Sequence, residues 1–366
     1  MDPIRTGLVG CGKVAEFHAL AYQNLPNSEF VACCDSDFER AKAFAKRFGL
    51  TPYADVQEMI QKSKVQALSV CTPHPLHAKI AVAAADAGCH VLIEKPLAVS
   101  LEDCDTIIES GERNNVQISM IAQKRFYRPC LRMKQAILEG KIGTPIIGTL
   151  NMYGWRGKDY YDSDPWRGTW KGEGGGVMAT QATHEIDILL WMMGEVDEVY
   201  GVWENFNHPY IEVEDTAAAI VRFKSGAIGN LIMSNSQNPG LYGNVHVHGS
   251  NGASIGTQID GGSAFIAGMT TIAEAPYNDI WTIRGEEDRL EEMKAADSKE
   301  FLSCDFMHYY HERQIEDFLN AIQQNRTPMV TARDGRRAVE LMLAVYKSME
   351  LNAPVKLPMC NSDGEK

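Results

Sequence analysis

Through the first third of the chain, short apolar runs alternate with amphipathic stretches of about ten residues. Ile4-Arg5-Thr6-Gly7-Leu8-Val9 reads as a strand, and Phe17, Leu20 and Ala21 mark the helix that follows it. Glu29 to Cys34 reads as a second strand. Residues 38–48 (FERAKAFAKRF) have helical spacing and stop at Gly49, and Asp55 to Ser63 is another short helix. Val65 to Val70 is a strand, and His77 to Ala87 is a helix closed by Gly88. Val91-Leu92-Ile93 is a further apolar run that ends in Glu94-Lys95-Pro96, before a helix at 101–114 and a last strand at 116–122. Strands and helices alternating at this length predict a parallel, doubly wound sheet, whose carboxyl edge is where ligands sit.

From Gln123-Lys124-Arg125-Phe126 the pattern changes. A helix at about 128–139 ends at Gly140, a strand follows at 146–154, and an irregular aromatic, arginine-rich stretch runs from Tyr153 through Trp170. After Gly174-Gly175-Gly176 a helix is predicted from about Thr180 to Met193, stopped by Gly194. Residues 196–270 alternate in short runs between glycines and asparagines, which suggests a largely antiparallel sheet. Residues 284–300 are heavily charged and read as a solvated helix or loop, and helices return at His308–Gln323 and Ala332–Leu351. The expected organisation is an α/β domain over 1–123 and an α+β domain over 124–366 with a large, mostly antiparallel open sheet. The helices within 308–351 are able to pack back on the first domain. No internal repeat is present.

Composition narrows the function classes. A length of 366 residues suits two domains, and 45% hydrophobic with 23% charged residues is that of a globular protein with ample core. The net charge of −13 argues against general affinity for nucleic acid or acidic membranes. The nine cysteines, Cys360 among them, form no C-x-x-C pair and read as reduced core thiols of a cytoplasmic protein. No basic leader and no run of 18 apolar residues is present, so neither a signal peptide nor a membrane span is expected.

The chemistry begins at Gly10-Cys11-Gly12-Lys13-Val14-Ala15, a G-x-G-x-x-A between a strand and a helix. Gly10 permits the tight turn, Gly12 lets a pyrophosphate approach the backbone, and the helix N-terminus offers free N–H groups to the phosphates. The second strand ends in Asp35, at the spacing expected of the acid that binds the ribose 2′-hydroxyl of NAD and repels the 2′-phosphate of NADP. No arginine follows directly, since Ser36 and Asp37 come next, and NAD is favoured over NADP. Lys95, delivered to the sheet edge, is a candidate acid or base, because burial and neighbours readily move a lysine's pKa. The bland alternative is a strand-end lysine paired with Glu94.

Gly10-Cys11-Gly12, then Thr72-Pro73-His74 with His77, then Glu94-Lys95-Pro96, resemble the signatures of the Gfo/Idh/MocA oxidoreductases, a family of sugar and inositol dehydrogenases. The resemblance implies a Rossmann domain that binds NAD through Gly10, Gly12, Lys13, Val14, Asp35, Thr72, Pro73, His74, His77, Glu94, Lys95 and Gln123. The family's usual T-P-N-x-x-H has Asn where this chain has His74, so that contact differs here. It also implies that Lys95 lies near the nicotinamide and the reacting hydroxyl.

In the second domain, positions 180, 184 and 187 would share one helix face, bringing Thr180, His184 and Asp187 toward one ligand. A histidine is the usual acid–base group near neutral pH. This stretch resembles the family's G-G-G-x-L-x-D-x-x-x-H-x-x-D segment, which makes His184 a catalytic candidate and puts Thr180 where the family has Asp. A threonine cannot serve as a carboxylate base, so acid–base work falls to Lys95 and His184. Asp187 reads as a residue that orients its neighbours. Arg125, Trp155, Arg156, Tyr160 and Trp166 are the remaining candidates for substrate contact, since flat apolar faces with polar rims suit a sugar. His246 and His248 point to the same strand face, yet no third ligand stands at a fixed spacing and no metal is expected. His311-x-x-Gln314-Ile315-x-x-Phe318 resembles the family's C-terminal signature.

The resulting expectation is an NAD-dependent hydride transfer to or from a secondary hydroxyl of a sugar, cyclitol or glycoside, by a homodimer or homotetramer. Two alternatives stand beside it: redox-neutral cleavage of a glycoside by oxidation and elimination, which would use the same residues, and a non-catalytic sensor of NAD or sugar, against which the presence of both Lys95 and His184 argues.

Overall fold

The computed structural model describes residues 2–241, 243–259 and 275–359, so that Cys360 and the part of the expected strand region beyond residue 259 lie outside it. The chain divides into two compact units, one of residues 1–123 and 306–336, the other of 124–305 and 337–366.

The first unit opens with β1 (Ile4–Val9), α1 (Ala15–Asn24), β2 (Ser28–Cys34), α2 (Phe38–Phe48), β3 (Thr51–Tyr53) and α3 (Val56–Ser63). It continues with β4 (Ala67–Val70), α4 (His77–Asp86), β5 (His90–Ile93), α5 (Leu101–Asn114) and β6 (Ile118–Met120). The strands form a six-stranded sheet in the order β3-β2-β1-β4-β5-β6, every pairing parallel. The chain reverses direction of winding between β1 and β4, the place where such folds hold nucleotides. Local chemistry fixes the helix ends. Asp37 caps α2 by accepting from the Arg40 N–H, Ser100 caps α5 by accepting from the Asp103 N–H, and Gly49 closes α2 in the left-handed conformation. The three-residue β3 is a strand that the sequence pattern does not announce, because it has no room for alternation.

The second unit contains α6 (Arg128–Leu138), β7 (Pro145–Tyr153), α7 (Lys158–Asp162), α8 (Trp170–Glu173), α9 (Val177–Thr180) and α10 (Thr183–Met193). Then come β8 (Val196–Glu204), β9 (Thr216–Phe223), β10 (Ile228–Ser234), β11 (Asn244–Gly249), β12 (Ser254–Gln258), β13 (Tyr277–Trp281) and α11 (Leu290–Ser303). The charged stretch at 284–300 is thus mostly the helix α11. After α12 (Phe306–Gln324) and α13 (Ala332–Leu351) the described chain ends with β14 (Val355–Lys356). The eight strands are ordered β13-β12-β11-β7-β10-β9-β8-β14, antiparallel except for the β7–β10 pair.

α12 belongs to the first unit, where Ile315, Phe318 and Leu319 join Ile4, Tyr22 and Leu92 in one core cluster. All three are fully buried, worth about 1.5–3 kcal/mol each. This is the apolar face of the amphipathic pattern after His311. Two expectations need correction. The predicted helix from Thr180 to Met193 is broken: α9 ends at Thr180 and α10 begins at Thr183, whose hydroxyl donates back to the carbonyls of Met178 (3.1 Å) and Ala179 (2.6 Å). Thr180 therefore does not share a helix face with His184 and Asp187. The aromatic stretch is likewise not irregular throughout, since it holds α7 and α8.

Candidate functional site

In the first unit the glycine turn links β1 to α1. Gly10 has φ +92°, and a Cβ there would lie 2.7 Å from the Cys71 carbonyl, so only glycine fits. A Cβ at Gly12 would meet nothing within 4 Å, which leaves the backbone open to a close-packed ligand. Lys13 and Val14 complete the turn into α1, Lys13 exposed and Val14 half-buried.

Asp35 stands one residue past β2 and is buried. Its Oδ2 accepts from the Cys11 N–H at 2.9 Å and its Oδ1 from the Asp37 N–H at 2.9 Å. The carboxylate is thus fixed on the glycine turn itself. Arg40, which sequence reading passed over because it is not adjacent to Asp35, lies 3.6 Å from Asp35 Oδ2 and 3.4 Å from Asp37 Oδ2. Its position on the first turn of α2 was the available signal.

Thr72, Pro73 and His74 follow β4. His77, at the start of α4, sets Nδ1 2.9 Å from the Pro96 carbonyl and Nε2 2.9 Å from the Thr72 carbonyl, so one imidazole spans the turns after β4 and β5. Burial pulls the His77 pKa down, against both of these bonds. The His74 ring lies 5.7 Å from that of His77. Two buried acceptors among the expected cofactor residues, Thr72 Oγ1 and Gln123 Oε1, have no hydrogen-bond partner within the protein. Buried polar atoms are ordinarily paired. With the bare backbone at Gly12 and the fixed Asp35, these orphaned atoms fit a polar dinucleotide such as NAD.

Glu94 and Lys95 follow β5 directly. Glu94 is buried and Lys95 half-buried. The Lys95 N–H donates to Glu94 Oε2 at 3.2 Å, and His18 of α1 and His311 of α12 meet Glu94 Oε1 at 2.9 and 3.7 Å. Burial alone would raise the Glu94 carboxyl, but the hydrogen bonds and charges of the two histidines hold it well below the usual range. His18 was missed from sequence; a polar residue among Ala15, Ala19 and Tyr22 on a buried face was the clue.

In the second unit Arg125 is buried in a bidentate pair with Asp187, Nε–Oδ2 at 2.7 Å and Nη2–Oδ1 at 2.6 Å, and Lys124 meets Glu185 at 2.6 Å. The two cations bind two acids of α10. Asp187 and Arg125 are thus paired with each other by two hydrogen bonds. His184 is buried on the first turn of α10.

The structure brings another set together. The Arg156 and Arg167 guanidinium groups lie 5.5 and 4.3 Å from the Tyr160 ring, and Arg167 also lies 4.7 Å from the Trp166 ring. Gln181 reaches the Tyr160 hydroxyl at 3.5 Å and lies against the Thr180 hydroxyl, which donates to the Gly176 carbonyl at 2.7 Å. Trp155 packs 5.4 Å from His208, whose imidazole connects Asp215 (2.8 Å) to the Arg156 carbonyl (2.7 Å). Sequence reading did not find Glu214. This buried acid accepts from the Gly176 N–H at 2.7 Å and the Met178 N–H at 3.1 Å, bracing the triple-glycine turn. Burial pushes its carboxyl up to about 7 against those two bonds. His246 and His248 bond to Asp279 and Ser254 at 2.7 and 2.8 Å.

Comparison with known proteins agrees with this geometry. Residues 4–122 match the family model described as an oxidoreductase family with an NAD-binding Rossmann fold, and residues 130–255 match the GFO/IDH/MocA C-terminal domain. The chain is 26% identical over 362 residues to a myo-inositol 2-dehydrogenase of Thermotoga maritima, covering 97% of this chain and 98% of the relative. It is 25% identical over 379 residues to a D-glucoside 3-dehydrogenase of Escherichia coli, covering 97% and 98%. Among solved structures, the WlbA dehydrogenase of Bordetella pertussis in complex with NADH and UDP-GlcNAcA superposes with a TM-score of 0.82 at 26% identity, covering 98% of this chain and all of that one.

Proposed function

This chain belongs to the Gfo/Idh/MocA family of NAD-binding oxidoreductases, and we propose that it oxidises or reduces a secondary hydroxyl of a sugar, cyclitol or glycoside, with Lys95 and His184 as acid and base. Bound NAD supplies the hydride acceptor at its nicotinamide ring. The protein's share in the first unit is to hold the pyrophosphate at the Gly10–Gly12 turn, to read the ribose with Asp35, and to take the hydroxyl proton on Lys95 Nζ. In the second unit the Arg156–Tyr160–Arg167 cluster and Trp155 present aromatic faces and donors of the kind a sugar ring binds. The observation that carries the reading is the placement of Glu94-Lys95 past β5 in the same unit as the open glycine turn. Its assignment as proton carrier, and that of His184, rest on the motif match. Relatives named as dehydrogenases of inositol and of glucosides support the substrate class.

One face of the eight-stranded sheet exposes Tyr200, Val202, Ile220, Ile228 and Ile147, with Tyr200 and Ile220 in register and Ile228 beside Ile147. That apolar face supports assembly as a homodimer or homotetramer, which light scattering tests. The eight free cysteines among the described residues support a reducing compartment, the cytoplasm. No helix among the described residues is long and apolar enough to cross a membrane.

The test is absorbance at the NADH wavelength with purified protein, NAD and a panel of sugars, inositols and glycosides. Sustained NADH production, lost by at least 100-fold in Lys95→Ala with NAD binding retained, is expected. Glycoside cleavage without NADH accumulation would replace net dehydrogenation with the redox-neutral reaction. Full activity in Lys95→Ala would end the assignment of the lysine.

A further inference from the structure

The end of β2 carries a cation as well as acids. Asp35 needs no side chain to hold it, because the Cys11 and Asp37 N–H groups already bond its two oxygens at 2.9 Å each. Arg40 therefore adds a charge and not a brace. Its guanidinium stands 3.6 Å from Asp35 Oδ2 and 3.4 Å from Asp37 Oδ2, and it hydrogen-bonds to no described residue. Its five N–H donors are left for water or a ligand. The other end of the residue is anchored, since the Arg40 N–H donates to Asp37 Oδ1 at 3.2 Å on the first turn of α2. The side chain is 55% exposed. Exposed ion pairs contribute little to stability, so turning the guanidinium from the two carboxylates toward another anion costs little.

Charge decides which dinucleotide gains from this. Asp35 and Asp37 place two negative charges at the end of β2, and Arg40 offsets one of them. Ser36, between the two acids, is exposed. A ribose 2′-hydroxyl is neutral and needs only the Asp35 acceptor. A 2′-phosphate carries about −1.5 to −2 at pH 7, as phosphate monoesters do, and would be repelled by Asp35. An arginine fork matches phosphate oxygens two at a time, which a neutral hydroxyl cannot exploit. The acid thus favours NAD, and the cation beside it works for NADP alone.

We infer that Arg40 is a specificity-determining residue that admits NADP as a second, weaker cofactor, by giving the 2′-phosphate a cation beside the acid that would otherwise exclude it. This rests on the reading of Asp35 as the acid at the ribose. A competing role for Arg40 is to lie over the adenine, a contact that would serve both dinucleotides alike.

The test needs no alcohol substrate. NADH and NADPH are titrated into the full-length protein and followed by nicotinamide fluorescence. The unaltered protein is expected to bind NADPH, more weakly than NADH. In Arg40→Gln the NADPH affinity should fall about tenfold, the worth of one charge-assisted hydrogen bond, while NADH affinity stays within about threefold. Arg40→Lys, which keeps the charge and loses the fork, should fall between the two. The NADPH gap between Arg40→Gln and the unaltered protein should narrow as salt rises from about 0.1 to 1 M, which shortens the screening length from about 10 to 3 Å. Equal weakening of both dinucleotides overturns the inference, as does an unmoved NADPH affinity or a gap that salt leaves unchanged. An unaltered protein that binds NADH and no NADPH overturns it too. If Asp35→Asn fails to improve NADPH binding while Arg40→Gln still weakens it, the ribose reading of Asp35 falls and the role of Arg40 stands. Improvement in Asp35→Asn with no effect of Arg40→Gln would do the reverse.

Discussion

Replacing Arg125 by methionine separates two roles that its sequence position leaves confounded, substrate contact and internal brace. The guanidinium is 2% exposed and holds Asp187 by two bonds of 2.7 and 2.6 Å. Methionine keeps much of the volume but leaves the carboxylate uncompensated, and breaking a buried pair from one side costs about 3–5 kcal/mol. Coulomb's law gives a similar figure, ~4 kcal/mol for charges ~4 Å apart at an effective dielectric of ~20. The loss is large beside a total stability of about 5–15 kcal/mol. All six tryptophans lie between Trp155 and Trp281, within the second unit, so tryptophan fluorescence follows the unfolding of that unit alone. With a urea slope of about 2–3 kcal/mol per molar, the midpoint should fall by about 1.5 M. Arg125→Met combined with Asp187→Leu should recover most of the loss, because an apolar pair of similar volume replaces a buried ion pair at little or no cost. A midpoint within about 0.3 M of the unaltered protein, together with a tenfold rise in substrate KM, would refute the brace and make Arg125 a ligand contact.

Two further outcomes follow from the same geometry. Asp35→Ala combined with Ser36→Arg should raise the ratio of kcat/KM for NADP to that for NAD at least tenfold, since it removes the buried acid and adds a second cation near Arg40; an unchanged ratio would mean that Asp35 does not read the ribose. Glu214 gives a pH signature. Its carboxyl is raised from 4.5 to about 7 by burial, so the native state binds this proton more tightly than the unfolded chain. Its contribution is fully present below 4.5 and is lost as pH climbs to about 7, a difference of about 3 kcal/mol. The gap between the urea midpoints of the unaltered protein and Glu214→Gln should therefore change across that window and be flat above it; parallel profiles would show that Glu214 is ionised throughout.

The features legible in the sequence are those that one short segment imposes on itself. Gly10 takes a φ of +92° in the turn that its own segment makes, and Asp35 directly follows its own strand. The alternation that predicts the first sheet is local in the same sense. The order of the eight-stranded sheet is not, since the parallel β7–β10 pair joins segments separated by an α-helical stretch and two other strands. Nor were the partners of the charged residues. No spacing rule announces that Asp187 stands against Arg125, and His18, Glu94 and His311 come from three elements that none connects. The break before α10 was illegible for another reason: a threonine hydroxyl that bonds to the preceding turn competes with the helix, and no periodicity reveals which of the two prevails.

By the motif resemblance, Thr180 stands at the position where the family segment carries Asp. A carboxylate at that position could only accept hydrogen bonds. Here the side chain donates, to the Gly176 carbonyl at 2.7 Å, and rests against the Gln181 amide that reaches Tyr160. Thr180→Asp would set a negative charge against a carbonyl oxygen, on a turn that Glu214 already braces from its N–H side. Restoring the family's acid should therefore harm this protein. The expected cost is about 1–3 kcal/mol in the tryptophan-monitored urea transition, with at least a tenfold fall in kcat/KM. Thr180→Ser keeps the donor and should stay within about 1 kcal/mol of the unaltered protein. If Thr180→Asp instead keeps its stability and gains activity toward inositols, then the hydroxyl is a dispensable replacement for the acid and the donor geometry at Gly176 has no part in substrate choice.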